Sequence, residues 1–184
     1  MRPDLRADLF AFAHRAGRAF RSGRGDLLQA PGHRTAPLYL LTAGAAHVYY
    51  DLPTGQRQTL RLGYPGELLA ALPGYFLGVP SPLGIEALRR CRGYAVDRDA
   101  VVEFCGSTPQ RQAAYIQMLE GAVCGFVERE IDLLEPDPAV RYATVLARSP
   151  QLFEHVPLRY IASYLRMTPE TLSRVRRRAG TPNP

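Results

Sequence analysis

Residues 157–178, PLRYIASYLRMTPETLSRVRRR, hold two apolar stripes of helical period separated by an interruption that leaves room only for a tight turn. In the first stripe Leu158, Ile161, Ala162 and Leu165 fall at i, i+3, i+4 and i+7. Arg166 and Met167 then interrupt. Thr168 suits an N-cap, Pro169 the first helical position, and Glu170 the end where the helix dipole favours a carboxylate. In the second helix Leu172, Val175 and Ala179 are expected to face inward, while Glu170, Ser173, Arg174 and Arg177 face out. That is the layout of a helix-turn-helix whose second helix enters a DNA major groove. The same spacing also fits a plain helical hairpin whose last arginines complement the dipole.

Charge is compatible with the first alternative. All 23 basic residues are arginine, lysine is absent, and the net charge is +6. The apolar fraction of 46% is that of a globular protein, and no apolar run reaches membrane-spanning length, so no membrane partner is expected. Cys91, Cys105 and Cys124 are isolated in sequence, which fits reduced, buried thiols in a cytoplasmic protein better than disulfides or a zinc site. Asp4 and Asp8 argue that the arginine-rich first twenty residues form a structural helix rather than a transit peptide.

Three sections follow from the pattern. Residues 3–16 read as a helix with Leu5, Leu9, Phe12 and Ala13 on one side. From about Arg18 to Ala100, short segments such as LYLLTAG, AHVYYDL, RQTLRLG and RGYAV alternate with turns, Asp51–Gly55 being a hairpin tip. These predict an antiparallel sandwich or barrel. Residues from roughly 98 to 135 predict one long helix. Its seam is Ile116, Leu119, Val123, Phe126 and Leu133, interrupted by Glu130, and a second apolar edge is Tyr115, Met118, Ala122 and Val127. A helix apolar on two sides must be covered twice, by the β domain and by a copy of itself, or else by two layers of its own chain. Glu135-Pro136-Asp137-Pro138 breaks it as a hinge. A further helix is expected over Ala139–Ala147, with Ala139, Val140, Ala143, Leu146 and Ala147 as its stripe. The predicted limits are 1–106 for the β domain, 107–135 for the long helix and 136–184 for the helix-turn-helix. Fold class is therefore α+β.

This order of elements resembles the Crp/Fnr family of bacterial transcription regulators, and the resemblance covers nearly the whole chain. It is sharpest at Ile161–Arg177, IASYLRMTPETLSRVRR, against the family's IA..LG.S.ETLSR. Gly32, Gly44, Leu62–Glu67 and Ile85–Leu88 match family elements more loosely. The resemblance implies an N-terminal β-roll of the cyclic-nucleotide-binding kind, a jelly-roll-like antiparallel fold, followed by a long dimerisation helix. It implies a homodimer on double-stranded DNA, with RNA polymerase as a further partner. Glu170, Ser173 and Arg174 occupy the base-reading positions. An arginine can read guanine bidentately and a glutamate can accept from cytosine. Thr168 and Thr171 are placed for phosphate or a thymine methyl, and Arg166, Arg176, Arg177 and Arg178 for phosphates. Pro169 stands where many members have a third reading residue.

The ligand side departs from the family. Its cassette holds a cyclic nucleotide through a Gly-Glu pair and, about ten residues later, an Arg-Ser pair. Here those positions fall on Ala70 and Ala71, and on Ser81 and Pro82. Without the cation a buried phosphate lies uncompensated, so cyclic AMP is not expected as effector, and no cofactor is predicted. Three cysteines cannot supply the four ligands of an iron–sulfur cluster. Pro73–Gly78 suits either a smaller or less charged ligand or a collapsed, empty pocket. A cupin-like metal enzyme on the β-roll needs converging histidines, and His33 and His47 are singletons. A protein-interaction module that has lost DNA binding is the remaining alternative. Ser149–Val156 is brief for a hairpin, and no wing is expected after the recognition helix.

Overall fold

The computed structural model describes residues 4–34 and 37–180. Residues 1–3, at the start of the predicted first helix, and 181–184, after the recognition helix, lie outside the described part. Asp4 starts α1 (Leu5–Ala16), its carboxylate accepting from the Arg6 and Ala7 amides. Leu5, Leu9 and Ala13 are buried, and Phe12 stacks on Phe104 at 4.3 Å between centroids.

Eight strands follow: β1 (Arg18–Ser22), β2 (Leu27–Gln29), β3 (Leu38–Ala43), β4 (Ala46–Asp51), β5 (Arg57–Gly63), β6 (Leu68–Leu69), β7 (Leu83–Ala87) and β8 (Cys91–Val96). They form two antiparallel four-stranded sheets, ordered β1-β8-β3-β6 and β2-β7-β4-β5. The chain changes sheet at every connection except the β4–β5 hairpin, which closes a β-roll. The β3–β4 and β7–β8 crossings meet at Gly44, whose φ is +87° and where a Cβ would sit 2.2 Å from the Arg90 carbonyl oxygen. Leu40, Leu41, Ile85, Ala87, Cys91 and Val101 share the first core. The α+β fold expected from the sequence is the fold observed.

Thr108 accepts from the Arg111 amide and Pro109 takes the first helical position, so the predicted long helix is two, α3 (Arg98–Gly106) and α4 (Pro109–Leu134). Asp137 and Pro138 repeat that device at the start of α5 (Pro138–Arg148). A single helical turn, α6 (Leu152–His155), rather than a hairpin, fills the segment before α7. α7 (Leu158–Tyr164) and α8 (Pro169–Arg178) complete the helix-turn-helix.

A second core joins α5 to α8 with Tyr142, Val145, Leu152, Val156, Ile161, Leu165 and Leu172, and it includes Ala45 and Leu88 of the β-roll. The α5 stripe expected from the sequence is corrected here: Tyr142 and Val145 are buried, whereas Ala139, Val140, Ala143 and Ala147 are exposed. Part of that stripe, with Leu146, instead lines a groove between α5 and α8. Among the described residues no helix is long and apolar enough to cross a membrane.

Candidate nucleic-acid interface

α7 stops in a left-handed turn. The Met167 amide donates to the Ala162 carbonyl at 3.0 Å and the Arg166 amide to that of Ser163 at 3.1 Å, with Arg166 at φ +52°. This is the helix-ending arrangement in which glycine is usual, and an arginine there costs about 1 kcal/mol of strain. Thr168 then caps α8, accepting from the Thr171 amide at 3.2 Å.

The cap aims α8 so that Leu172 and Val175 enter the second core while Glu170, Arg174, Arg177 and Arg178 stay exposed and Ser173 half-exposed. Bonds from its own amide and from the Thr168 hydroxyl hold the Glu170 carboxyl below its ordinary pKa, so it is anionic at neutral pH. Arg166 and Thr168 are exposed and Thr171 half-buried. Two expectations are corrected. Arg176, expected on phosphate, is only 3% exposed and packs inside the helix-turn-helix, while Ala179, expected inside, is exposed.

α4 leaves Ile116, Val123 and Phe126 of its expected seam exposed. Tyr115 and Met118 pack on the β-roll core as predicted. The Arg61 guanidinium, however, lies 3.7 Å from the Phe126 ring centroid, and Leu119 and Leu133 are half-buried. The open apolar face is Ile116, Val123, Phe126, Val127, Ile131 and Leu134, with Val123 61% and Leu134 81% exposed. Val127, expected against the β domain, belongs to this open face, and Ala122 is exposed too. Cys124, expected buried, is also exposed, whereas Cys91 and Cys105 are buried.

In the degenerate cassette Ala70, Ala71 and Ser81 are buried and Pro82 is exposed. Ser81 is spent internally: its hydroxyl accepts from the Leu83 amide at 3.2 Å, its amide donates to the His33 carbonyl and its carbonyl accepts from the Gly32 amide. Pro73–Gly78 falls largely within a short helix, α2 (Leu72–Leu77). From it Tyr75 is hydrogen-bonded to Tyr115 of α4, and burial raises the pKa of both phenols. Among the described residues no group of three histidine, cysteine or acidic side chains comes together as a metal site, and His33 is exposed.

His47 is buried where β4 meets α7, 5.0 Å from the Tyr160 ring and with Nδ1 3.0 Å from the Thr59 hydroxyl. Burial, helped by the charges of Arg57 and Arg159, lowers its pKa from 6.5 to about 4. The unfolded chain binds a proton that the folded one refuses, so stability is full above pH 6.5 and falls as pH drops toward 4. The loss totals about 3 kcal/mol. Urea midpoints measured across that window are expected to fall with acid, and His47→Gln to flatten the slope. An unchanged slope in the variant would remove His47 from this role.

Sequence reasoning passed over Arg129. It lies on α4 yet is only 5% exposed. Its guanidinium donates to the carbonyls of Thr59 (3.4 Å) and Tyr164 (3.3 Å) and to Glu130 (3.1 Å), and lies 4.7 Å from the Tyr164 ring centroid. The available signal was a lone arginine eleven residues, about three helical turns, after Met118 on the edge expected to face the β domain.

Residues 20–108 match the cyclic nucleotide-binding domain family. No curated protein matches the sequence. Among solved structures, FixK2 from Bradyrhizobium japonicum is similar with a TM-score of 0.76 and 21% identity, over 90% of this chain and 85% of its own. A CRP/FNR-family transcriptional regulator from Thermus thermophilus has a TM-score of 0.63 and 20% identity, over 89% and 87%. The catabolite activator protein of Thermus thermophilus has a TM-score of 0.55 and 20% identity, over 99% and 88%.

Proposed function

We propose that this chain, which carries a cyclic nucleotide-binding domain and has the Crp/Fnr fold, is a transcription regulator that reads a partly palindromic DNA site as a homodimer. The observation that carries this reading is the outward placement of Glu170 and Arg174, one turn apart on a capped helix whose other face is buried. Arg174 is the guanine reader, Glu170 the acceptor for cytosine, and Ser173 the third base-edge contact. Arg166, Thr168, Thr171, Arg177 and Arg178 hold phosphates and set register. The uncovered apolar face of α4 supports dimerisation, which would place two recognition helices in successive major grooves about 34 Å apart.

The effector side is read from chemistry. Ala70, Ala71, Ser81 and Pro82 offer neither a carboxylate for a ribose nor a cation for a phosphate, so cyclic AMP is not the effector. Calorimetry giving a dissociation constant in the low micromolar range contradicts that.

Arg174→Ala is the direct test of the reading. Specific binding is expected to weaken by about 1–3 kcal/mol, with preference relaxed at one base pair. Arg177→Ala is expected to weaken binding evenly across sequences and to lower the salt slope by about 1. Titration of labelled duplexes at two salt concentrations separates the two behaviours. Unchanged affinity and preference in Arg174→Ala remove it from the reading role.

A further inference from the structure

The last turn of α7 ends against donors drawn from three other elements. Gln58 of β5 donates to the Ser163 carbonyl, Arg129 of α4 to that of Tyr164, and Arg141 of α5 to that of Leu165 at 3.1 Å. The Thr59 amide donates to the Ser163 hydroxyl at 3.0 Å, and Arg141 also reaches the Glu135 carbonyl in the hinge. Carbonyls at a helix C-terminus lack next-turn amides and carry the negative end of the dipole, so cationic donors are favoured there. α8 follows α7 through a turn fixed by its own backbone bonds, and whatever holds α7 therefore aims α8.

Arg129 is the member of this set that belongs to α4, the dimer helix of the reading above. It touches β5 and α7 at once, and its buried guanidinium must keep those partners to offset its desolvation. We propose that Arg129 is a positioning residue that fixes the recognition helix relative to α4 and so sets the half-site spacing this dimer accepts; the proposal rests on the DNA-binding reading above. In a two-fold dimer the separation of the two α8 helices follows from the placement of each α8 on its own α4. A rigid junction then selects one spacing. A loosened one tolerates several, because the hinge at Glu135–Asp137, the Arg148 ion pairs to Glu128 and Asp132 and the Gln58 and Thr59 bonds to Ser163 are then left to hold α7 without its buried link to α4.

Two measurements decide it, both on the full chain. The first uses Arg178→Cys in a Cys124→Ser background, spin-labelled on α8, with Cys91 and Cys105 buried. The label-to-label distance across the dimer is expected to be one narrow peak, and Arg129→Ala to broaden it. The second titrates duplexes whose half-sites are moved apart or together by one and two base pairs. The unsubstituted protein is expected to prefer one spacing by roughly tenfold and Arg129→Ala to bind all of them within about threefold, its affinity for non-specific DNA unchanged. If Arg129→Ala does not fold, Gln58→Ala with Ser163→Ala removes two neighbouring links and is expected to give the same loosening. A narrow peak and an intact spacing preference in a folded variant overturn the proposal while sparing the DNA-binding reading. An unsubstituted protein with neither a pair distance nor a preferred sequence overturns both.

Discussion

Leu172→Ala is expected to melt the helix-turn-helix while the β-roll stays folded. Leu172 is fully buried, and its neighbours Tyr142, Val145, Ile161 and Leu165 come from α5 and α7. Removing a buried leucine to alanine costs about 2–5 kcal/mol, since the surrounding helices close only partly over the void. That is a large share of the roughly 5–15 kcal/mol that holds a domain together. The first core, around Leu40, Leu41 and Ile85, shares none of these side chains. Hydrogen exchange is therefore expected to accelerate through 158–180 and to stay slow in β3 and β4. Specific DNA binding is expected to be lost although Glu170 and Arg174 are untouched. Uniform acceleration across both cores contradicts this division, and no acceleration anywhere denies Leu172 its place.

Val123→Asp combined with Val127→Asp is expected to turn a dimer into monomers. Both valines are more than half exposed on the single chain, on the face shared with Ile116, Ile131 and Leu134. Across a two-fold axis each substitution appears twice, so four carboxylates are driven into one apolar seam. Each unpaired buried charge costs several kcal/mol or takes up a proton, and the charged residues one turn away from them on α4 are acidic, Glu120 and Glu130. Sedimentation velocity is expected to show the variant at half the mass of the unsubstituted protein, with half-sites bound independently. An unsubstituted protein that already sediments as a monomer removes the dimer from the account, as does a variant that stays dimeric.

The recognition helix was legible because its signals are local. Thr168 caps, Pro169 fits the first turn, and Leu172 with Val175 sets the buried face, all within one stretch of chain. The same cap-and-proline pair recurs as Thr108-Pro109 and Asp137-Pro138; weighed equally, the first would have split the long helix. Strands β3, β4, β5 and β8 announced themselves through apolar runs. β6 spans two residues and exists only through its pairing with Tyr39 and Leu40, while β1, RAFRS, hides under its arginines.

The second edge of α4 departs from expectation at Ala122 and Val127, both exposed, for another reason. Periodicity finds two apolar edges but cannot say which one distant side chains will cover. Arg61 over Phe126, and Arg129 beneath Tyr164, decide that from elsewhere in the sequence. Arg176 departs from the expectation that an arginine beside other arginines faces water: it is buried on α8, 3% exposed. Tyr142 was left out of the α5 stripe, yet it is one of the largest fully buried side chains.

Selection of bound fragments from random double-stranded DNA bears most directly on the whole account. The full chain is expected to enrich two half-sites related by two-fold symmetry, centred about one helical turn apart, with a guanine that ceases to be selected in Arg174→Ala. Recovery of fragments with no common sequence, or of a motif indifferent to Arg174, contradicts it.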